Sequence, residues 1–286
     1  MSHSTVHILP PEVTEGLAAG TLAPYLGPGL LALCAGTTPP AEPAALAAVL
    51  TAKVSVPGKI KNRLTAAAQF IENFKHRKTL VSAMNDAFAL PAQASALHHW
   101  IAALCSPLIV DTWYDDTLRQ ALQTRGSALD WAEVQGLSQS EHFGTWTGWY
   151  DAQGQASPDA IAARTLLYKP WGGHAPAGNF LVSDSDFVEV LTEIDIQTPI
   201  PALVQARRST LGFVFLGCRF NDQLPRAFAR QIMKRSGGPH YAVLAEEPTR
   251  MEARFLEEQG ITRIALPLAE VAAQLSTAPP GVPAHA

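Results

Sequence analysis

Four short segments carry the residue types and spacing that handle small charged ligands. Leu26-Gly27-Pro28-Gly29-Leu30-Leu31 follows an apolar stretch and precedes a helical-looking one. That is the placement of a phosphate-approach loop, where glycine lets the backbone come close to a pyrophosphate and a helix N-terminus faces it. A plain turn explains a lone Gly-x-Gly equally well. Leu108-Ile109-Val110 is too short for a helix and rich in β-branching, so it predicts a buried parallel strand. The polar run Asp111-Thr112-Trp113-Tyr114-Asp115-Asp116 leaves its carboxyl end, where open α/β sheets gather ligands. Asp115, Asp116 or Thr117 can then cap a helix through Leu118, Ala121 and Leu122. Lys169-Pro170-Trp171-Gly172-Gly173 and Phe215-Leu216-Gly217-Cys218-Arg219-Phe220-Asn221-Asp222 complete the set.

Elements able to position these segments alternate along the chain. Strands are predicted around 22–26, 108–110, Phe180, Phe213, Tyr241 and 261–266, with helix-length pieces between them, including 224–234 and 250–259. Strands separated in this way imply parallel β-α units. The fold class is therefore α/β, a Rossmann-like, doubly wound and mostly parallel sheet. Residues 41–104 read as a helical insertion. They carry Lys53, Lys59, Lys61, Arg63, Lys75, Arg77 and Lys78, a cluster expected to form a solvated face. Residues 123–165 read as a loop-rich insertion in which Trp131, Trp146, Trp149 and Tyr150 build a small satellite core, with a lid or partner surface as the alternative. The Pro/Ala/Gly-rich stretches 1–20 and 276–286 read as flexible ends, leaving one domain over 21–275.

Composition narrows the partners. A chain of 286 residues, 47% of them hydrophobic, can bury one large core. A net charge of −4 provides no basic field for nucleic acid or an anionic membrane. Cys34, Cys105 and Cys218 are far apart, which excludes a zinc ribbon and suits three small buried hydrophobes. With no apolar run of spanning length and no leader-like start, a soluble cytoplasmic protein is expected.

Taken in order, the segments resemble the sirtuin-like family of NAD-binding domains, in its shorter prokaryotic form without a zinc module. Gly27-Pro28-Gly29 stands where that family has a Gly-Ala-Gly turn, and 91–103 resembles the helix before its second strand. Asp111-Thr112-Trp113-Tyr114-Asp115 stands on Thr-Thr-Asn-Tyr-Asp, and Lys169-Pro170-Trp171-Gly172-Gly173 on Lys-Leu-His-Gly-Ser. Residues 179–191 stand on the strand and helix that follow. The segment 215–222 is similar to Ile-Gly-Tyr-Ser-Leu-x-Asp, the turn that meets the adenosine half of NAD. The likeness covers roughly residues 22–265.

What the resemblance implies is altered at two positions. The family's Asn, which holds the ribose and the attacking water, and its His, which works as the base, are here Trp113 and Trp171. An indole donates one hydrogen bond and accepts no proton. A positioned base is worth about 100- to 10,000-fold in rate, so cleavage by the family's route is not expected. Gly27, Pro28, Gly29, Thr112, Trp113, Tyr114, Asp115, Trp171, Gly172, Gly217, Cys218, Asn221 and Asp222 are the implied ligand contacts. Among them Thr112, Asp115, Asn221 and Asp222 suit ribose hydroxyls. The two indoles either fill the nicotinamide pocket or sandwich a planar ring such as a flavin. His174, three residues beyond Trp171, and Asp115 are the candidates for a rescued catalytic site.

The expectation is a degenerate sensor or accessory protein that binds NAD, ADP-ribose or a related nucleotide. One alternative is an active NAD hydrolase of the antiviral kind, or an ADP-ribosyl transferase. The other is a structural domain with a plugged pocket, engaged with a protein partner or a second copy. No metal, zinc included, is implied.

Overall fold

The computed structural model describes residues 4–36, 38–104, 106–125, 130–158, 162–196 and 199–280. The chain opens with β1 (Thr5–Val6), α1 (Pro11–Ala19) and β2 (Leu22–Leu26). A 3-10 turn at Pro28–Leu33 leads into α2 (Pro43–Lys53), α3 (Leu64–Lys75), α4 (Arg77–Phe88) and α5 (Ala96–Ala103). Next come β3 (Leu108–Asp111), α6 (Thr117–Thr124), β4 (Trp131–Gly136), β5 (Thr147–Tyr150), β6 (Thr165–Lys169), β7 (Gly172–Gly173) and β8 (Asn179–Phe180). The last third runs α7 (Asp184–Ile196), α8 (Ala202–Arg208), β9 (Gly212–Leu216), α9 (Gln223–Met233), β10 (His240–Val243), α10 (Arg250–Glu258), β11 (Ile261–Ile264) and α11 (Leu268–Thr277).

Nine of these strands form one sheet in the order β1-β11-β10-β9-β2-β3-β6-β4-β5. Its pairs are parallel except β4 with β5, while β7 and β8 make a separate antiparallel pair. From β2 the chain steps to β3 and β6 on one side, then returns through β9, β10 and β11 on the other. The order therefore reverses between β2 and β9, the switch point at which a doubly wound sheet opens a crevice. Both faces are covered. Leu46, Ile71, Met84, Phe187, Phe228 and Phe255 pack on one, and Val13, Ile101, Leu118 and Val271 on the other. The central strands β2, β3, β6 and β9 are buried throughout, which is why they are mostly apolar rather than alternating, with polar exceptions such as Asp111 and Lys169 at their carboxyl ends. This is an α/β, Rossmann-like, mostly parallel architecture. No described helix is long and apolar enough to cross a membrane.

Three regions differ from the sequence expectation. Residues 5–19, expected to be a loose end, hold β1 paired with β11 and a helix whose Val13 and Leu17 are buried. Proline at the first helical position presets φ there, and Gly20 at φ 72° closes the helix. At the other end α11 extends through Thr277, and Trp100 Nε1 donates to Ala278 O at 2.9 Å. Residues 281–286 lie outside the described residues. The largest difference is in 123–165, where β4 and β5 extend the main sheet instead of building a satellite core. Its Gly and Ser residues made this stretch read as loop-rich, yet Glu133 and Gln135 of β4 are fully buried and paired inside the protein.

Candidate functional site

At the switch point, glycine joins two strand-end loops by backbone contact. Gly27 N–H donates to Leu216 O at 2.9 Å, Gly29 N–H to Gly217 O at 2.9 Å, and Leu30 N–H to Gly27 O at 3.1 Å. A Cβ on Gly27 would lie 2.6 Å from Gly217 O, and one on Gly29 2.8 Å from the same atom. Gly217 itself sits at φ 68°, where a Cβ would meet Leu30 N at 2.4 Å. The glycines are therefore needed for the mutual approach of these loops. Pro28 has no N–H, so the amides of 27–30 are used up within the protein. Around Gly27, Pro28 and Gly29 the amides thus lock this loop to the carbonyls that end β9.

The carboxyl ends of β3, β6 and β4 hold charge instead. Lys169, at 1% exposure, places Nζ 2.6 Å from Asp111 Oδ2 and donates to Asp115 O at 2.9 Å. Burial pushes the Asp111 carboxyl up to about 6 although Lys169 opposes it. Burial also pulls the Lys169 ammonium down, but Asp111, Asp115 and Glu133 outweigh this and hold it above its ordinary value. Glu133 accepts from Arg119 Nε at 3.0 Å and from Gln135 Nε2, and burial raises its carboxyl to about 7.

Each candidate in the turn after β3 has a definite partner. Thr112 donates its N–H and its hydroxyl to Leu26 O, at 2.9 and 2.8 Å. Asp115 Oδ2 accepts from Thr117 N–H at 3.0 Å and so fixes the turn into α6. Its neighbour Asp116 faces the other way. Asp116 Oδ2 lies 2.8 Å from His174 Nδ1, while its Oδ1 accepts from Ala175 N–H at 3.1 Å. His174 N–H in turn donates to Tyr114 O at 2.9 Å. A carboxylate on one ring nitrogen fixes the imidazole and leaves Nε2 for other partners, the arrangement used for general-base work. The sequence reading named both residues without pairing them. Their separation of 58 positions offers no local signal, and only the β7 turn brings His174 back over β3.

Trp113 and Trp171 each pack against the Tyr114 ring. Centroid distances from Tyr114 are 5.0 Å to Trp113 and 6.3 Å to Trp171. Trp113 is 1% exposed and donates through Nε1 to Pro40 O at 2.7 Å. Tyr114 donates its hydroxyl to Leu181 O at 2.7 Å. Trp171, 7% exposed, packs on Phe187 and Phe228 at 5.5 and 5.6 Å, and its Nε1 has no partner among the described residues. Each indole thus packs against the protein's own aromatic rings. Gly172, at φ 75°, serves the β7–β8 hairpin, where a Cβ would lie 2.2 Å from Asn179 O.

Beyond β9 the loop is braced from below. Arg219 pairs with Glu252 at 3.1 Å and with Glu246, and Phe220 N–H donates to Glu252 Oε1 at 3.0 Å. Burial pushes the Cys218 thiol far above its ordinary range, so it behaves as a hydrophobe. Asn221 and Asp222 remain exposed, and Asp222 caps α9 through Gln223 N–H. Cys34 lies 4.0 Å from the Nδ1 of buried His98, whose imidazole burial lowers to about 4. Cys105 lies outside the described residues. No group of three His, Cys, Asp or Glu suited to a metal occurs among the described residues.

A family model described as a SIR2-like domain matches residues 107–264, more than half of the chain. The match spans β3 to β11 and so includes Trp113, Trp171, His174 and the turn after β9. Gly27-Pro28-Gly29 and the helices α2 to α5 precede it. No curated protein matches this chain.

Proposed function

Starting from the fact that this chain belongs to the SIR2-like domain family, we propose that it binds NAD, ADP-ribose or a related nucleotide without cleaving it. One observation carries this reading. Where the family's base and ribose-holding Asn would stand, Trp113, Tyr114 and Trp171 form a buried aromatic stack. No group in that stack accepts a proton at neutral pH, which supports binding without cleavage. What the family's ligand keeps is the β9 side of the crevice, where exposed Asn221 and Asp222 offer polar atoms suited to ribose hydroxyls.

Indole emission and product release test the reading together. NAD and ADP-ribose are each titrated into the protein, and released nicotinamide is measured in parallel. Saturable quenching without nicotinamide supports the proposal. Turnover that His174→Ala abolishes would overturn it in favour of an enzyme, the second reading, which the Asp116–His174 pair favours. Absence of binding at millimolar nucleotide would leave the plugged structural domain.

A further inference from the structure

The helical layer holds an open cavity of about 660 Å³ far in sequence from the switch-point loops, and its lining is chemically specific. Lys53 comes from the end of α2, Ser55 from the loop after it, Phe70, Phe74 and Lys75 from α3, and Thr79 from α4. Phe70 and Phe74 lie against each other with centroids 4.4 Å apart, and Phe74 is 66% exposed. An aromatic face left in water beside a cavity marks a place where another apolar surface is stabilised. Lys53 is paired with Asp86 at 2.6 Å, but both side chains are well exposed and the pair is screened. Lys75 has no ionic partner among the described residues.

The backbone at this place is held against its preference. His76, between α3 and α4, sits at φ 70° and ψ 152°, a region that side chains other than glycine's rarely adopt. The next residue holds it there. Arg77 Nη1 lies 2.8 Å from buried Asp186, Nη2 donates to Phe180 O, and Nε lies 3.2 Å from Glu141. That anchoring keeps Lys75 and Thr79 on the cavity rim. Strain sustained by a buried network is a mark of a place with a use.

We propose that this cavity is a binding site for a flat aromatic anion of about nucleotide size, its ring on Phe74 and its negative group held by Lys75 and Lys53. The volume is that of a small-molecule site, about 300–1,000 Å³. Two ammonium groups flanking stacked rings recognise a charge and a ring in the same molecule. Helix α4 links this cavity to the aromatic stack, with Thr79 at one end and Phe88 packed 6.2 Å from Trp113 at the other.

The test is calorimetric titration of the full chain with 2-naphthyl phosphate, which has no ribose and so does not report on the nucleotide reading. Inorganic phosphate and 2-naphthol are titrated alongside. Each is expected to bind about tenfold or more weakly than the conjugate, since each lacks one of two contacts. Phe74→Ser and Lys75→Glu alter exposed side chains and should leave the circular dichroism spectrum unchanged while lowering affinity about tenfold or more. Unchanged affinity in both variants, or no binding to the native chain at millimolar probe, would overturn the proposal. So would conversion of a dimer to a monomer by Phe74→Ser with probe binding intact, which would assign the face to a second copy of this chain.

Discussion

The two halves of the sheet's carboxyl edge are closed by opposite means. Between β2 and β9, three glycines remove side chains so that backbones interlock, with no charge at the contact. Between β3, β6 and β4, long side chains enter and bury charge, Asp111 with Lys169 and Glu133 with Arg119. The glycine half depends on shape, because any Cβ there meets a backbone atom. The charged half depends on pairing, because a buried ion without its partner is unstable. The difference teaches why the aromatic stack sits where it does. Trp113, Tyr114 and Trp171 follow strands β3 and β6 of the charged half.

Removing one ion should break the charged half most severely. Lys169→Ala leaves Asp111 buried without its cation and is expected to cost about 3–5 kcal/mol, read from urea unfolding. The pH response of the same half sharpens the comparison. Glu133 has its carboxyl raised by burial to about 7, so between pH 4.5 and 7 the folded protein binds a proton that the unfolded chain has released. Its contribution is therefore most favourable at low pH and is lost as pH rises through 7, by at most about 3 kcal/mol. Glu133→Gln should flatten the fall in urea midpoint between pH 5 and pH 8, and an unaltered slope would contradict the assignment. In the glycine half, Gly217→Ala is expected to cost about 2 kcal/mol, from the left-handed φ and contact with Leu30 N. That loss should be independent of pH over the same range, which separates the halves.

Legibility in the sequence followed how local each cause is. The runs at 108–110 and 212–216 announced their strands, because a strand buried on both faces is read as a continuous apolar run. Helix α10 was readable as 250–259 closed by Gly260, and the structure adds the reciprocal cap of Thr249 and Glu252. The strand β4 was not, since 123–165 read as loop-rich and the partner that allows Glu133 to be buried, Arg119, arrives from α6. The basic cluster at 53–78 read as one solvated face, yet Arg77 is an internal anchor for Asp186 and Phe180, contributed by later segments.

The sequence by itself determined the parallel α/β class and the family resemblance, since these follow from residue types in short windows. Only the tertiary structure decided that both indoles pack against Tyr114 and that the Gly27 and Gly29 amides bind the carbonyls of Leu216 and Gly217. It also decided that Asp116 rather than Asp115 holds His174. Each of those outcomes is a choice of partner among groups far apart in the chain. Such choices are settled by which atoms the packed sheet brings within hydrogen-bonding or van der Waals distance, a quantity that no local window of sequence contains.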